Sequence, residues 1–145
     1  MNAEVIARLE AQGIQPSAHR VAVAEYVLST DEHPSADEVW ARVGKRLLIS
    51  RATVYNTLNL LAEKGLIRAL DLGGGRVVFD PKLDRHHHFI DEQSGTIHDV
   101  PWDAVRVSDV EALRPDGYEV HEYQVIMRGR RRPRSAPGAR EARRR

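Results

Sequence analysis

The sequence predicts an α+β chain in two units, on three observations. Four short segments of helical periodicity, with capping residues at their starts, come first; a glycine-turned hairpin follows them directly; and beyond a proline- and charge-rich break the pattern changes to strand-like alternation. Val5, Ile6 and Leu9 mark the first helix, which Gly13 closes. Ser17 can cap a second, whose Val21, Ala24, Val27 and Leu28 recur at helical spacing. Ser35 and Glu38 form an S-x-x-E capping box that opens a third, with Val39, Trp40 and Val43 inward. The fourth runs from Ser50 to about Lys64, with Val54, Leu58 and Leu61 on one face and Gly65 at the left-handed stop. Leu66 to Leu72, the turn Gly73-Gly74-Gly75 and Arg76 to Phe79 then form a hairpin, because glycine takes the positive φ that a tight connection demands. Short helices followed by such a hairpin describe a winged helix over residues 1–79.

Proline and charges at residues 80–85 predict a hinge. An α/β unit over 86–128 follows, with strands at His86 to Ile90 and Thr96 to Val100, a helix near Trp102 to Leu113, and a last strand from Tyr118 to Met127. Residues 129–145 are arginine, proline, alanine and glycine, a composition that buries too little apolar surface to offset the entropy of ordering, so a disordered tail is expected there.

There is no cysteine, which excludes disulfides, thiolate zinc sites and thiol redox chemistry; any metal must be held by nitrogen and oxygen. Apolar stretches fall far short of the roughly 20 residues that cross a bilayer, and the start lacks a signal sequence, so a cytoplasmic protein with no membrane partner is expected. The net charge of +1 hides an asymmetry: from Gly129 onward there are eight arginines against one glutamate. Residues 81–128 hold five basic and ten acidic side chains, and residues 1–80 hold nine and ten. A nucleic-acid contact therefore needs a locally basic face.

On the fourth helix, steps of four align Arg51, Tyr55 and Asn59, with Asn56 adjacent and Thr53 near the start. Arginine can fork onto guanine or phosphate, asparagine can pair with adenine, and a tyrosine ring or threonine methyl can pack on a thymine methyl. An amphipathic helix with a solvated polar face has the same pattern, and Tyr55 equally suits a ring closing the helix packing. The position between capped helices and a hairpin favours a DNA-reading helix.

The densest chemical signal is Asp80 followed by His86-His87-His88, with Asp99 eleven residues after His88. On a strand His86 and His88 share a face and His87 points away, so H-x-H is a ready two-nitrogen chelate. With Asp80, Asp99 and the distant His33 it would make three imidazoles and two carboxylates, a set suited to one divalent ion such as iron, manganese or zinc, and formally neutral when filled. Consecutive histidines are also found as incidental surface runs, and periodicity alone does not nominate His33, which equally fits an exposed position before Pro34.

In order, His33-Pro34-Ser35-Ala36-Asp37-Glu38-Val39-Trp40, then Ser50 to Leu58 (SRATVYNTL), then Asp80 with His86 and His88, then Asp99, resemble the ferric uptake regulator family from residue 1 to about 128. The resemblance implies a metal-dependent transcriptional repressor, not an enzyme. It implies a homodimer that binds double-stranded DNA at a pseudo-palindromic operator, its winged-helix reader hinged to an α/β dimerisation domain. The family's regulatory ligands fall on His33, Asp80, His86, His88 and Asp99, implying one Fe²⁺ or Mn²⁺ per protomer, with Zn²⁺ an occupant in purified protein. Aspartate at 99, where iron-level sensors carry glutamate, resembles the peroxide-responsive branch, in which iron-catalysed oxidation modifies the histidines matching His33 and His86. Sensing of iron, manganese or zinc levels is the alternative within the family. Outside it stands a mononuclear non-haem iron enzyme, although five protein ligands leave little room for an organic substrate.

The chain also departs from the family pattern. The two C-x-x-C pairs that hold a structural zinc in many members are missing, with Asp91 and Ser94 in the places of the first pair, so no four-cysteine zinc is expected. Arg85 and Arg106 fall near two ligand places of a further metal site, of which His87 and His121 remain; an arginine beside a cation is unfavourable, so one metal per protomer is expected. Ser17-Ala18-His19-Arg20 stands where members usually carry a Thr-x-Gln-Arg pattern.

Overall fold

The structure, a computed structural model, describes residues 2–133 and divides after Asp84 into two compact units, Met1–Asp84 and Arg85–Arg145. In the first, helices α1 (Ala3–Ala11), α2 (Ala18–Ser29), α3 (Ala36–Val43) and α4 (Arg51–Glu63) precede a hairpin of β1 (Arg68–Asp71) and β2 (Val77–Asp80). Each helix begins at a side-chain cap: Asn2 accepts from the amides of Glu4 and Val5, Ser17 from Arg20, Ser35 from Glu38 and Ser50 from Thr53. These bonds satisfy amides that the helix itself leaves unpaired, and so define where each helix starts. The core gathers Leu9, Val21, Val27, Val39, Val54, Leu58 and Leu61, with Phe79 of β2 packed in.

The hairpin starts later than the residue pattern predicts. Leu66 and Ile67 are buried behind Gly65 as a connection, and the ladder begins at Arg68, opposite Asp80. Gly73, Gly74 and Gly75 all take positive φ, at 83°, 63° and 77°. One further bond ties the hairpin to the helices: the Phe79 amide donates to the Pro34 carbonyl at 2.9 Å.

In the second unit β3 (His86–Asp91) lies between antiparallel β4 (Ile97–Pro101) and parallel β5 (Ile126–Gly129). Three expectations are corrected here. The helix expected over Trp102 to Leu113 is a 3₁₀ turn, Trp102–Ala104, and a separate single turn α5, Val110–Leu113; between them the chain is irregular, and Asp109 takes a left-handed φ of 58° that no regular helix tolerates. The last strand is Ile126–Gly129 rather than Tyr118 to Met127, because it pairs with β3 only from His88↔Ile126 to Asp91↔Gly129. Gly129 consequently belongs to the sheet and not to the arginine-rich tail: its carbonyl accepts the Glu92 amide at 2.8 Å, and a Cβ there would sit 3.2 Å from the Phe89 ring. Of the rest of the expected tail, residues 130–133 are exposed and without regular structure, and residues 134–145 lie outside the described residues. No helix among the described residues is long and apolar enough to cross a membrane.

Neighbours on α4 provide a test of the packing, since Leu58 is fully buried and Asn59 exposed. Leu58→Ala should destabilise the first unit by about 2–5 kcal/mol, and Asn59→Ala should change it by no more than about 0.5 kcal/mol. Urea unfolding followed by helical circular dichroism, which the first unit dominates, checks both.

Candidate metal centre and nucleic-acid interface

Each unit by itself assembles part of the predicted ligand set. In the first, the Phe79–Pro34 bond aligns the end of β2 with the lead-in to α3, so that His33 and Asp80, 47 residues apart, become neighbours. His33 Nε2 lies 3.2 Å from Asp80 Oδ2, with both side chains buried. The other oxygen, Oδ1, accepts the Lys82 amide at 2.8 Å, which orients the carboxylate from the residues that follow β2.

In the second unit strand parity does the same work. His86 and His88 point to one face of β3, their rings 4.6 Å apart, and the antiparallel register sets Asp99 directly opposite His88. Asp99 Oδ1 lies 3.4 Å from His86 Nε2 and 3.6 Å from His88 Nε2. His86 and His88 are 8% and 1% exposed, so the histidine run is interior to the sheet and not an incidental surface run.

These separations bear on chemistry. A charge-assisted hydrogen bond prefers about 2.7–2.9 Å, and one oxygen facing two nitrogens at 3.4 and 3.6 Å is poorly described that way. Ligand atoms each about 2.1 Å from a common ion lie about 3.0 Å apart at a right angle and about 3.4 Å apart at the tetrahedral angle. The imidazole–carboxylate spacings in both units are those of the edges of a coordination polyhedron. With nitrogen and oxygen donors only, the chemistry suits a divalent ion of the iron, manganese or zinc type.

His87 points the other way and does different work. It is fully buried, its ring stacks on Trp102 at 4.6 Å, and its Nδ1 accepts the Val125 amide at 2.9 Å. Accepting there requires the ring proton on Nε2, so His87 ties the approach to β5 onto β3 as a neutral side chain. Arg85 lies over the Trp102 ring at 5.7 Å, and the His121 side chain is 87% exposed, its nitrogen 4.0 Å from Glu119. Where the family pattern has its first cysteine pair, the Asp91 carboxylate accepts the amides of Gln93 and Ser94, and those two bonds hold its carboxyl below the usual range.

The proposed reading face of α4 divides in two. Tyr55, at 43% exposure, stands outside the packing together with Asn56 and Asn59. Arg51 is exposed but not loose: its guanidinium sits 4.5 Å over the Trp40 ring and 3.9 Å from the Asp37 carboxylate. Thr53 is half-buried, its hydroxyl 2.8 Å from that of the capping Ser50. Beside this face, Thr53 and Asn56 line a groove of about 230 Å³ with His19 and Arg20 of α2. Periodicity gave no reason to bring those two residues to α4; the signals there were the cap at Ser17, which fixes where α2 begins, and the place of Ser17-Ala18-His19-Arg20 in the family pattern.

The profile of the Ferric uptake regulator family matches residues 11–128. The peroxide-responsive repressor PerR of Staphylococcus aureus (strain Mu50) is 33% identical over 127 residues, which cover 87% of this chain and 86% of that protein. The peroxide operon regulator of Bacillus subtilis (strain 168) is 31% identical over 127 residues, covering 87% and 88%. A solved structure of the Vibrio cholerae ferric uptake regulator superposes with a TM-score of 0.71 over 86% of this chain and 98% of that one; at 22% identity it carries the fold alone. With the profile spanning both units and relatives above 30% identity over most of both chains, this chain belongs to the ferric uptake regulator family, as a member without cysteine.

Proposed function

We propose that the protein is a homodimeric, metal-dependent transcriptional repressor in which one divalent ion per protomer is held by His33 and Asp80 from the first unit and by His86, His88 and Asp99 from the second. The observation that carries this reading is the pair of buried imidazole–carboxylate clusters, at 3.2 Å in one unit and 3.4 and 3.6 Å in the other, in a chain of this family. When bound, the ion supplies two positive charges that offset both aspartates, and as ferrous iron it supplies one-electron chemistry toward hydrogen peroxide. His33 and Asp80 ride with the reading helix, and His86, His88 and Asp99 ride with the sheet. Two carboxylates drawn together without a cation repel, so the conformer that unites the two sets is disfavoured until the charge is met. A swing from 1:99 to 99:1 needs roughly 10⁴-fold tighter metal binding by the united conformer.

In that conformer the two α4 helices of a dimer keep one spacing and meet successive major grooves of a pseudo-palindromic operator. Tyr55, Asn56 and Asn59 offer a ring and two amides to base edges, while Arg51 and Thr53 lie at the helix N-terminus, where backbone amides favour a phosphate. The relatives named for peroxide response, together with aspartate at position 99, favour hydrogen peroxide as the signal. Addition of oxygen to the ring of His33 or His86 would weaken it as a donor and release the reader.

His33→Ala should leave a folded dimer, measured by light scattering and circular dichroism, in which metal stimulation of DNA binding falls by roughly 100-fold; undiminished stimulation refutes the bridge. Exposure to hydrogen peroxide of the ferrous form, but not the manganese form, should add the mass of one oxygen to a peptide containing His33 or His86. No such gain, with DNA binding still tracking metal concentration, assigns the protein to metal-level sensing.

A further inference from the structure

The turn between α3 and α4 is held from several sides. The Gly44 amide donates to the Trp40 carbonyl at 2.8 Å, and those of Arg46 and Leu47 donate to Val43 at 3.1 and 3.2 Å. The Trp40 indole N–H donates to the Ile49 carbonyl at 2.9 Å, and His19 Nε2 lies 3.1 Å from the Leu48 carbonyl. A Cβ at Gly44 would meet the Trp40 carbonyl oxygen at 2.8 Å, so the helix end is close-fitted there as well.

The last turn of α3 and the pinned turn after it display cations. Arg42, Lys45 and Arg46 are all exposed, and among the described residues none of them pairs with a carboxylate. Arg42 is steadied by the Tyr26 ring, 5.5 Å from its guanidinium. Glu25, the one acid lining the adjacent groove, is engaged by the Asn2 amide at 2.8 Å. Residues 1–80 carry nine basic and ten acidic side chains, so three cations within five residues, against the single carboxylate of Glu25, make a local positive ridge on a nearly neutral unit. The groove beside it, about 420 Å³, is floored by Ala22, Tyr26, Val43 and Leu47, and Leu48 stands 96% exposed at the end of the turn.

We propose that Arg42, Lys45 and Arg46 grip the phosphate backbone of DNA beside the groove that α4 enters, which rests on the DNA-binding reading above. In a helix-turn-helix pair the first helix crosses the backbone and the second enters the major groove by its N-terminal residues. The joining turn therefore runs alongside the phosphates that flank the groove. Cations there touch phosphate whatever the base, adding affinity and fixing register without choosing sequence. A rigid turn suits the task, because the backbone that carries the charges is in place before the DNA arrives.

The test uses the full chain loaded with manganese and a mixed-sequence duplex, with affinity measured by fluorescence anisotropy over a series of salt concentrations. Lys45→Gln/Arg46→Gln should reduce the slope of log affinity against log salt by about 1.8, at about 0.9 for each phosphate no longer neutralised. Preference between duplexes of different sequence should not change, and the charge-preserving pair Lys45→Arg/Arg46→Lys should keep the wild-type slope. A slope unaltered in the Gln variant, with a wild-type circular dichroism melt, overturns the proposal. Calorimetry with inorganic phosphate separates the other source of the same chemistry: saturable binding abolished by the Gln pair, with the DNA slope unaltered, makes the ridge a small-anion site instead. If the wild-type protein binds no duplex at low salt, the DNA-binding reading fails and this one fails with it.

Discussion

Burying a carboxylate is expensive unless charge and hydrogen bonds replace its water, and Asp80, at 3% exposure, imposes that constraint on the first unit. The structure meets it with the Lys82 amide on one oxygen and the His33 imidazole on the other. Next to His33 the Phe79 amide takes the Pro34 carbonyl, linking the last strand of the wing to the lead-in of α3. The bond that ties the wing to the helices therefore also lies beside the His33–Asp80 pair, this unit's share of the candidate ligand set. Packing of Phe79 into the core stiffens the same junction.

The second unit solves a related problem without thiolates. Asp91 spends its side chain on its own turn, capping Gln93 and Ser94, with the charge of Arg131 nearby helping to keep it ionised. A carboxyl whose folded value is depressed contributes its anchoring above the unfolded value and loses it as pH falls through the folded one, so these two bonds weaken in acid while the backbone bonds of the turn, Asp91 amide to Thr96 and Gly95 amide to Asp91, remain. Parallel β5 is then held by the ladder to β3, by the Glu92 amide on Gly129 and by the Val125 amide on His87. The stack of His87 on Trp102, with the Tyr123 ring 4.7 Å from Trp102, surrounds that last bond with apolar surface. Alternate histidines of one strand thus serve two ends, His86 and His88 facing Asp99 and His87 holding the sheet together.

The nearly neutral first unit places its charge locally. Arg51 is clamped on Trp40 at the start of α4, and the turn that carries Lys45 and Arg46 ends at Ile49, whose carbonyl accepts the same Trp40 indole. One aromatic side chain therefore organises both the N-terminus of α4 and the turn that leads into it. Acidic residues outnumber basic ones ten to five over residues 81–128, away in sequence from these positions.

Local rules carried much of this. Serines at 17, 35 and 50 declared three helix starts because a capping hydroxyl acts on amides two or three residues ahead, and three consecutive glycines declared the hairpin turn. Strand parity was enough to separate His87 from His86 and His88. Where the pattern is weak the residues misled: the stretch from Trp102 to Leu113 carries only a faint helical periodicity and Asp109 in a left-handed conformation interrupts it, and the extent of β5 depends on a partner strand nearly 40 residues earlier. A pattern along the chain reports what a residue does to its neighbours within a turn or a strand, and so it determined the elements, the buried faces and the supply of nitrogen and oxygen ligands. Which distant residues meet, His33 with Asp80 or His19 and Arg20 with Asn56, was decided by long-range hydrogen bonds and packing, whose closure no local periodicity encodes.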